Sequence, residues 1–220
     1  MARKIGVIGS GTVGETLANG FLKHGYEVMR GSRSAQKLGE WQQKLGPRAT
    51  IGSVADTAKF GEIIVLAVKG SAAEDALKAC KPGNLEGKTV IDVTNPIADK
   101  PPDNGVLALF TTHDQSLLER LQKQAPKVNF VKAFSCVGAG LMVDPDFGGQ
   151  KPTMFICGND GKSKQAVAAI VGQFGWEVED LGGAAAARAI EPLCMLWCIP
   201  GLLRNQWNHA FKLLKQNGKR

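Results

Sequence analysis

Residues 4–14, which read KIGVIGSGTVG, decide the fold of this chain. They begin with a short apolar run, and three glycines follow in the pattern G-x-G-x-x-G, at Gly9, Gly11 and Gly14. The residues after them carry apolar side chains at helical spacing as far as His24. A strand, a glycine turn and a helix in this order predict the start of a Rossmann-type βαβ unit.

The same segment predicts a site for the pyrophosphate of a dinucleotide. Gly9 permits the tight turn, Gly11 leaves room for the phosphates, and Gly14 lets the helix pack closely on the strand. The N-terminus of the helix offers free N–H groups and a positive dipole end to the phosphates. We therefore predict that the cofactor is bound by Gly9, Ser10, Gly11, Thr12, Val13 and Gly14.

The segment after the second predicted strand indicates which dinucleotide binds. NAD enzymes place an Asp or Glu there against the ribose hydroxyls. Residues 29–34 contain no acid and read MRGSRS. Ser32, Arg33 and Lys37 can instead hold a 2′-phosphate by hydrogen bonds and ion pairing. The sequence thus predicts NADP(H) rather than NAD(H).

Strand and helix patterns alternate along most of the chain, which predicts an α/β fold with a parallel sheet flanked by helices. Predicted strands cover residues 4–9, 26–29, 62–68, 88–93, 128–133, 152–157 and 176–179, and predicted helices cover 12–24, 35–45, 72–79, 114–124 and 162–174. From residue 184 onward only helical patterns remain, with one apolar face made by Leu203, Trp207, Phe211 and Leu214. We expect a Rossmann-type NADP-binding domain in residues 1–182 and a short helical C-terminal segment in residues 183–220 that completes the cleft.

Two further loops are expected to meet the nicotinamide, because ligands of such sheets lie across the carboxyl ends of the strands. Val68 and Lys69 belong to the loop at the end of one predicted strand, and Asn95 and Pro96 follow the next. Asn95 can hydrogen-bond the ribose or the carboxamide, but an Asn-Pro pair is also a common turn former. The residues leave both interpretations open.

The composition is that of a globular chain, with 44% hydrophobic and 21% charged residues. The net charge is +7, but the basic residues are scattered, so we expect no nucleic-acid partner. The apolar runs fall short of the roughly 20 residues that cross a bilayer, and no signal peptide is recognisable, so we expect no membrane partner either. Five cysteines without a C-x-x-C pair are typical of reduced thiols, which predicts a cytoplasmic location.

No catalytic triad and no metal site are predicted, because His24, His113 and His209 each stand without a suitably spaced partner. The C-terminal segment carries more apolar side chains than a terminal extension needs. We expect them to form a homodimer interface: Trp197, Leu202, Leu203 and Trp207.

Seven motifs together resemble the NADPH-dependent reductases of the 8-hydroxy-5-deazaflavin type, and also the cytosolic oxidoreductase domain of the six-transmembrane metalloreductases. They are GSGTVG at residues 9–14, GSR at 31–33, AVK at 67–69, VTNPI at 93–97, KAFSCVGA at 132–139, MFICGND at 154–160 and ARAIEP at 187–192. In that family hydride passes directly between the nicotinamide and the ring of a second redox cofactor, and no side chain acts as acid or base.

The resemblance also implies roles for individual residues. Ser10, Thr12, Ser32 and Arg33 would hold the phosphates of NADP. Val68 and Pro96 would flank the adenosine and the nicotinamide ribose, and the backbone of Ala139 would contact the carboxamide. The partner of NADP(H) would be a small-molecule redox acceptor, 8-hydroxy-5-deazaflavin or a flavin.

The electron acceptor stays open because the chain departs from the family pattern there. Ser135 stands where the family often has Asn, and residues 136–139 read CVGA in place of an Ile-Pro-Ala run. A free flavin or a small carbonyl compound is compatible with these residues. A second alternative, from a different class, is a redox sensor that binds NADP(H) without turnover.

A β-hydroxyacid dehydrogenase is a weaker alternative, since such an enzyme needs a lysine on the first C-terminal helix as its proton acceptor. That stretch holds Arg188 instead, which stays protonated in proteins. We expect Arg188 and Glu191 to form an i, i+3 pair, either in the cleft or on the surface.

Overall fold

A computed structural model describes residues 3–216 of the chain. The strands are β1 (Lys4–Ile8), β2 (Glu27–Gly31), β3 (Ala49–Gly52), β4 (Ile63–Leu66), β5 (Thr89–Asp92), β6 (Asn129–Lys132), β7 (Thr153–Gly158) and β8 (Glu177–Asp180). The α-helices are α1 (Thr12–Lys23), α2 (Gly39–Gln43), α3 (Val54–Phe60), α4 (Ala73–Ala79), α5 (Leu117–Gln124), α6 (Gly161–Gln173), α7 (Ala187–Ile190) and α8 (Leu193–Arg204). The strands form one sheet in the order β3-β2-β1-β4-β5-β6-β7-β8, which confirms the predicted α/β Rossmann-type fold.

The sheet is covered by helices on both faces, and its central strands are correspondingly apolar. All four side chains of β4 are buried, as expected for a parallel strand between two helical layers. One core lies on the face of α1 and α6 and includes Phe21 and Phe174. The other lies on the face of α3, α4 and α5 and includes Leu66 and Leu121.

The sheet is not parallel throughout, which corrects the sequence-based prediction. Strands β1 to β6 pair in parallel, but β7 runs antiparallel to β6. The chain between them contains only a short 3-10 turn at Ala139–Leu141, so no crossover helix carries it back to the starting edge of the sheet. Helix α6 then provides the crossover that makes β8 parallel to β7.

Sequence reasoning predicted neither β3 nor α3. Ser53 begins α3 by accepting a hydrogen bond from the backbone N–H of Asp56, a capping pattern that the sequence contains. The single helix predicted over residues 35–45 is a 3-10 turn at Ala35–Leu38 followed by α2. The helix predicted to begin at residue 114 begins after Ser116, which forms a capping box with Glu119.

The predicted final helix is wrong. Helix α8 ends at Arg204, and the next residue, Asn205, has a left-handed backbone with φ of 54°. Residues 205–216 contain no helix. Instead, the Thr153 backbone N–H of β7 donates to the carbonyl of Phe211 over 2.8 Å, and Lys212 pairs with Glu177 of β8 at 2.5 Å. Phe211 and Lys212 therefore lie beside the last two strands.

One stretch, Ala184–Arg204, is long and apolar enough to cross a membrane by length and composition, with a mean hydropathy of 1.3. In the fold it is divided between α7 and α8, and a third of it is buried. Its inward residues, among them Ile190 and Trp197, pack against the rest of the protein. One face of the stretch thus packs on the core, and the stretch is weak evidence for a membrane span.

Candidate functional site

The glycine turn between β1 and α1 has the geometry that its sequence predicts. Gly9 has a φ of +147°, and a Cβ there would fall on the carbonyl oxygen of Ala67. A Cβ at Gly14 would lie 2.8 Å from the carbonyl oxygen of Gly9. A Cβ at Gly11, by contrast, would meet no protein atom within 4 Å. Gly9 and Gly14 are thus required by the protein's own packing, whereas Gly11 borders open space.

A cleft of about 360 Å³ opens beside this turn at the carboxyl ends of β1, β2 and β4. One wall is polar and one is apolar, which suits a ligand with a phosphate-bearing part and a flat apolar part. Eight of the fourteen predicted cofactor residues line it: Gly9, Ser10, Gly11, Ser32, Arg33, Lys37, Val68 and Lys69. The apolar wall, which the sequence did not reveal, is made by Val54, Ala72, Ala76 and Ala79.

The polar wall presents free positive charge. Arg33 and Lys37 are both exposed, and within residues 3–216 neither forms an ion pair. Ser32 accepts a hydrogen bond from the Ser34 backbone N–H over 3.0 Å, which fixes the turn that carries them. Thr12 and Val13 follow at the start of α1, where no side chain caps the helix. Free N–H groups and unpaired cations converge here, as phosphate binding requires.

A buried arginine, Arg30, contacts the glycine turn, donating to the Gly11 carbonyl over 3.5 Å, and the sequence analysis did not predict it. Arg30 of β2 is fully buried, pairs with Glu15 at 3.2 Å and stacks over Trp41 at 4.8 Å. Burial lowers the pKa of the Arg30 guanidinium, and the hydrogen bond to Glu15 offsets part of that effect. A second, polar cleft of about 370 Å³ lies above it and shares Ser10 and Lys37 with the first.

Of the five residues predicted near the nicotinamide, Val68 and Lys69 line the main cleft, but Asn95, Pro96 and Ala139 do not. The Asn95 side-chain amide donates to the Ser135 carbonyl over 2.7 Å. The other amide atom, Asn95 Oδ1, and the hydroxyl of Ser135 are buried without a hydrogen-bond partner in the described part of the chain. Buried polar atoms without a partner are uncommon, so the Asn95–Ser135 contact is a candidate place for a polar ligand group such as a carboxamide or a ribose.

Ala139 lies further along the segment after β6, at the start of a 3-10 turn. The preceding Gly138 packs against the indole of Trp197 on α8, where a Cβ would collide with the ring. The C-terminal segment therefore reaches the part of the protein that contains Ala139. Phe134, in the same segment, has a φ of 59°, a strained conformation for a bulky residue.

Arg188 and Glu191 do not form the expected pair. Arg188 instead binds both carboxylate oxygens of Glu119 on α5, with a closest distance of 2.6 Å, and this lowers the pKa of Glu119 to about 2. Glu191 is 1% exposed and pairs with Lys132 at 2.9 Å. The helical spacing of Arg188 and Glu191 predicted a pair between them. The pair does not form because the side chain of Glu191 is buried and that of Arg188 is exposed.

The cysteines of the chain are all free. Burial raises the pKa of Cys136 and Cys194 to about 12, so neither thiol ionises near neutral pH. Among the residues that the structure describes, no group of three or more His, Cys, Asp or Glu side chains is arranged to hold a metal ion.

Residues 4–96, which include the glycine turn and most of the cleft, match the model of a family described as NADP oxidoreductase, coenzyme F420-dependent. The whole chain is also similar to a solved structure from Arthrobacter sp. FB24, described as a "putative F420 dependent NADP-reductase". The two are 30% identical, the TM-score is 0.89, and the match covers 98% of this chain and 100% of the other. The chain belongs to this family of NADP oxidoreductases.

Two metalloreductases are also similar to this chain, over 92% and 87% of its length. Metalloreductase STEAP3 of Rattus norvegicus is 29% identical over 208 residues, and metalloreductase STEAP2 of Homo sapiens is 27% identical over 195 residues. The chain spans only 39% and 36% of the length of these two proteins. An imine reductase from Aspergillus terreus, solved with NADPH4, is 18% identical with a TM-score of 0.67 over 93% of this chain, which shows a shared fold alone.

Proposed function

We propose that this NADP oxidoreductase transfers hydride directly between the nicotinamide of NADP(H) and a deazaflavin or flavin acceptor. The observation that carries the cofactor choice is the polar wall of the cleft, where Arg33 and Lys37 are unpaired within the described residues. A 2′-phosphate is the group that such a wall accommodates, and a bare ribose would leave both cations without a partner.

The residues near the nicotinamide end support direct transfer without an acid or base. Lys132 is fully buried, and although burial by itself lowers its pKa, the charges of Asp92 and Glu191 raise the net pKa above the ordinary value. Cys136 is held protonated by burial. NADPH, when bound, supplies the hydride with both electrons, and one proton from water completes the reduced acceptor. The chain's own contribution is then to bind and orient.

The acceptor and the cofactor are tested together. The purified protein is titrated with NADPH and NADH by calorimetry, and NADPH absorbance is then followed with 8-hydroxy-5-deazaflavin, FMN, FAD and small carbonyl compounds. We expect tighter binding of NADPH and oxidation by the deazaflavin or a flavin. Oxidation by carbonyl compounds alone would overturn the proposed acceptor, and tight NADPH binding without oxidation by any of them would favour the sensor.

A homodimer and a cytoplasmic location belong to the same proposal. The free cysteines support the location. Trp197, predicted for the dimer interface, is buried in the core instead. The predicted Leu202, Leu203 and Trp207 are exposed, and with Leu196, which is 55% exposed, they offer an apolar surface that a second copy of the chain can cover. We expect sedimentation at micromolar concentration to show a dimer, and Leu196→Glu with Leu203→Glu to shift it to monomer. A monomeric wild type would contradict this expectation.

A further inference from the structure

Three charged side chains that contribute nothing to the cleft surface are buried where β5 and β6 end. Lys132 and Asp92 are fully buried, and Glu191 is 1% exposed. The ammonium of Lys132 lies 2.7 Å from Asp92 Oδ2 and 2.9 Å from Glu191 Oε1, and it donates to the Thr94 carbonyl over 2.8 Å. The ammonium therefore forms ion pairs with two buried carboxylates and a hydrogen bond with the Thr94 carbonyl.

This cluster fixes the loop that follows β5. Asp92 Oδ1 accepts hydrogen bonds from the backbone N–H and the hydroxyl of Thr94, at 2.9 and 2.7 Å. With the bond from Lys132, all three polar groups of Thr94 are held by buried charges. Asn95 follows directly, and its carbonyl lies where a Cβ on Gly70 would be. The loop cannot shift without breaking charged hydrogen bonds or colliding with the neighbouring loop.

Glu191 extends the cluster to the C-terminal segment. Its two carboxylate oxygens accept hydrogen bonds from the backbone N–H groups of Leu117 and Leu118, at 2.9 and 3.0 Å, in the first turn of α5. Glu191 lies at the joint between α7 and α8. A single carboxylate thus connects that joint, α5 and the end of β6.

Stability alone does not account for such a cluster. Desolvating three charges costs about as much as their attraction returns, and well-packed apolar side chains of similar volume are often equally stable or better. What the ion pairs and hydrogen bonds of this cluster do provide is one defined arrangement of the backbone that they hold. Here that backbone includes Thr94 and Asn95, next to the unpartnered amide oxygen of Asn95.

We propose that Lys132, Asp92 and Glu191 are positioning residues, which hold the Thr94–Asn95 backbone in the place where it meets the nicotinamide half of the cofactor. This inference rests on the proposed binding of NADP(H). The adenosine half of the cofactor, which lies along the glycine turn and Arg33 in the proposal, does not depend on the cluster.

The experiment compares NADPH with adenosine 2′,5′-bisphosphate, which carries the adenosine and the 2′-phosphate but lacks the nicotinamide. The variants are Lys132→Met, Glu191→Gln and Thr94→Val. Thr94→Val removes one hydrogen bond and keeps all three charges, so it remains informative if Lys132→Met does not fold. Lys88→Met is the matched control. Lys88 also donates to three backbone carbonyls, those of Ala58, Lys59 and Gly61. It precedes β5, however, and so lies at the opposite end of that strand from Thr94 and Asn95.

We expect the three variants to weaken NADPH binding by about tenfold or more and to lower kcat, because misplacement of a contact by about 1 Å has effects of this size. Binding of adenosine 2′,5′-bisphosphate should stay within about twofold of wild type, as should both ligands with Lys88→Met. Equal losses for both ligands, or no loss for either, would overturn the positioning role. Failure of the wild type to bind either ligand would instead overturn the proposed function and this inference with it.

Discussion

Gly11→Val should abolish NADPH binding and leave the fold intact. Gly11 precedes α1 with φ of −82° and ψ of 178°, a conformation open to any residue, and a Cβ there meets no protein atom within 4 Å. The added side chain would occupy the space in which phosphates reach the free N–H groups of α1. The loss of two charge-assisted hydrogen bonds, about 1.5–3 kcal/mol each, should raise the Kd for NADPH by at least about a hundredfold.

Gly9→Val is the contrasting variant for the same measurement. Its backbone has a φ of +147°, and the added Cβ would fall on the Ala67 carbonyl, which belongs to a buried backbone that cannot move aside. We expect this variant to lose thermal stability strongly, whereas Gly11→Val melts like wild type. Calorimetry with NADPH and thermal unfolding by circular dichroism separate the two effects. Unchanged NADPH binding by a folded Gly11→Val would show that the phosphates do not lie at this turn.

The phosphate end of the site could be predicted from sequence because its signals are local. The glycine pattern, the strand before it and the helix after it occupy consecutive residues, and the absence of an acid in residues 29–34 is read from one short segment. The structure brings six of the residues predicted for the phosphates into one cleft: Gly9, Ser10, Gly11, Ser32, Arg33 and Lys37. The apolar wall could not be predicted, because small residues such as Ala72 and Ala76 form no sequence pattern typical of a binding site.

The cluster around Lys132 could not be predicted in the same way. Its partners come from β5, β6 and the joint before α8, which are far apart in the chain and meet only through the sheet. The motif KAF at residues 132–134 drew attention to Lys132, but nothing local indicated that it is buried. For Glu191, helical spacing favoured Arg188, and tertiary contacts with Lys132 and α5 decided otherwise.

Residues 203–214 show why the helical spacing of apolar residues alone led to a wrong prediction. Leu203, Trp207, Phe211 and Leu214 are spaced as on one helix face. In the structure Trp207 folds back onto Gly201, where the absence of a side chain makes room for its ring, and it lies 5.6 Å from the ring of Trp197. The contacts of Trp207 therefore take the place of a continued helix, a case of tertiary contacts overriding propensity.

Arg33→Ala should reduce the preference for NADPH over NADH and leave the remainder of the site as it is. Arg33 lies on the polar wall of the cleft, is exposed, and forms no ion pair within residues 3–216. Its guanidinium is therefore available to a 2′-phosphate, and the loss of a charge-assisted bond of about 1.5–3 kcal/mol should weaken NADPH binding by about 10- to 150-fold. NADH has no 2′-phosphate, so its affinity should be nearly unchanged.

Arg48→Ala removes the same charge as a control. Arg48 is exposed and precedes β3, so it lies at the amino ends of the strands, whereas the cleft lies at their carboxyl ends. A general effect of net charge on an anionic cofactor would appear in both variants and decline with added salt, whereas a direct contact would appear in Arg33→Ala alone. Calorimetric titration of each variant with NADPH and NADH at two salt concentrations distinguishes these outcomes. Parallel losses for NADPH and NADH in Arg33→Ala would mean that Arg33 contacts a part common to both cofactors, such as the adenine, and that selectivity depends on Ser32 and Lys37.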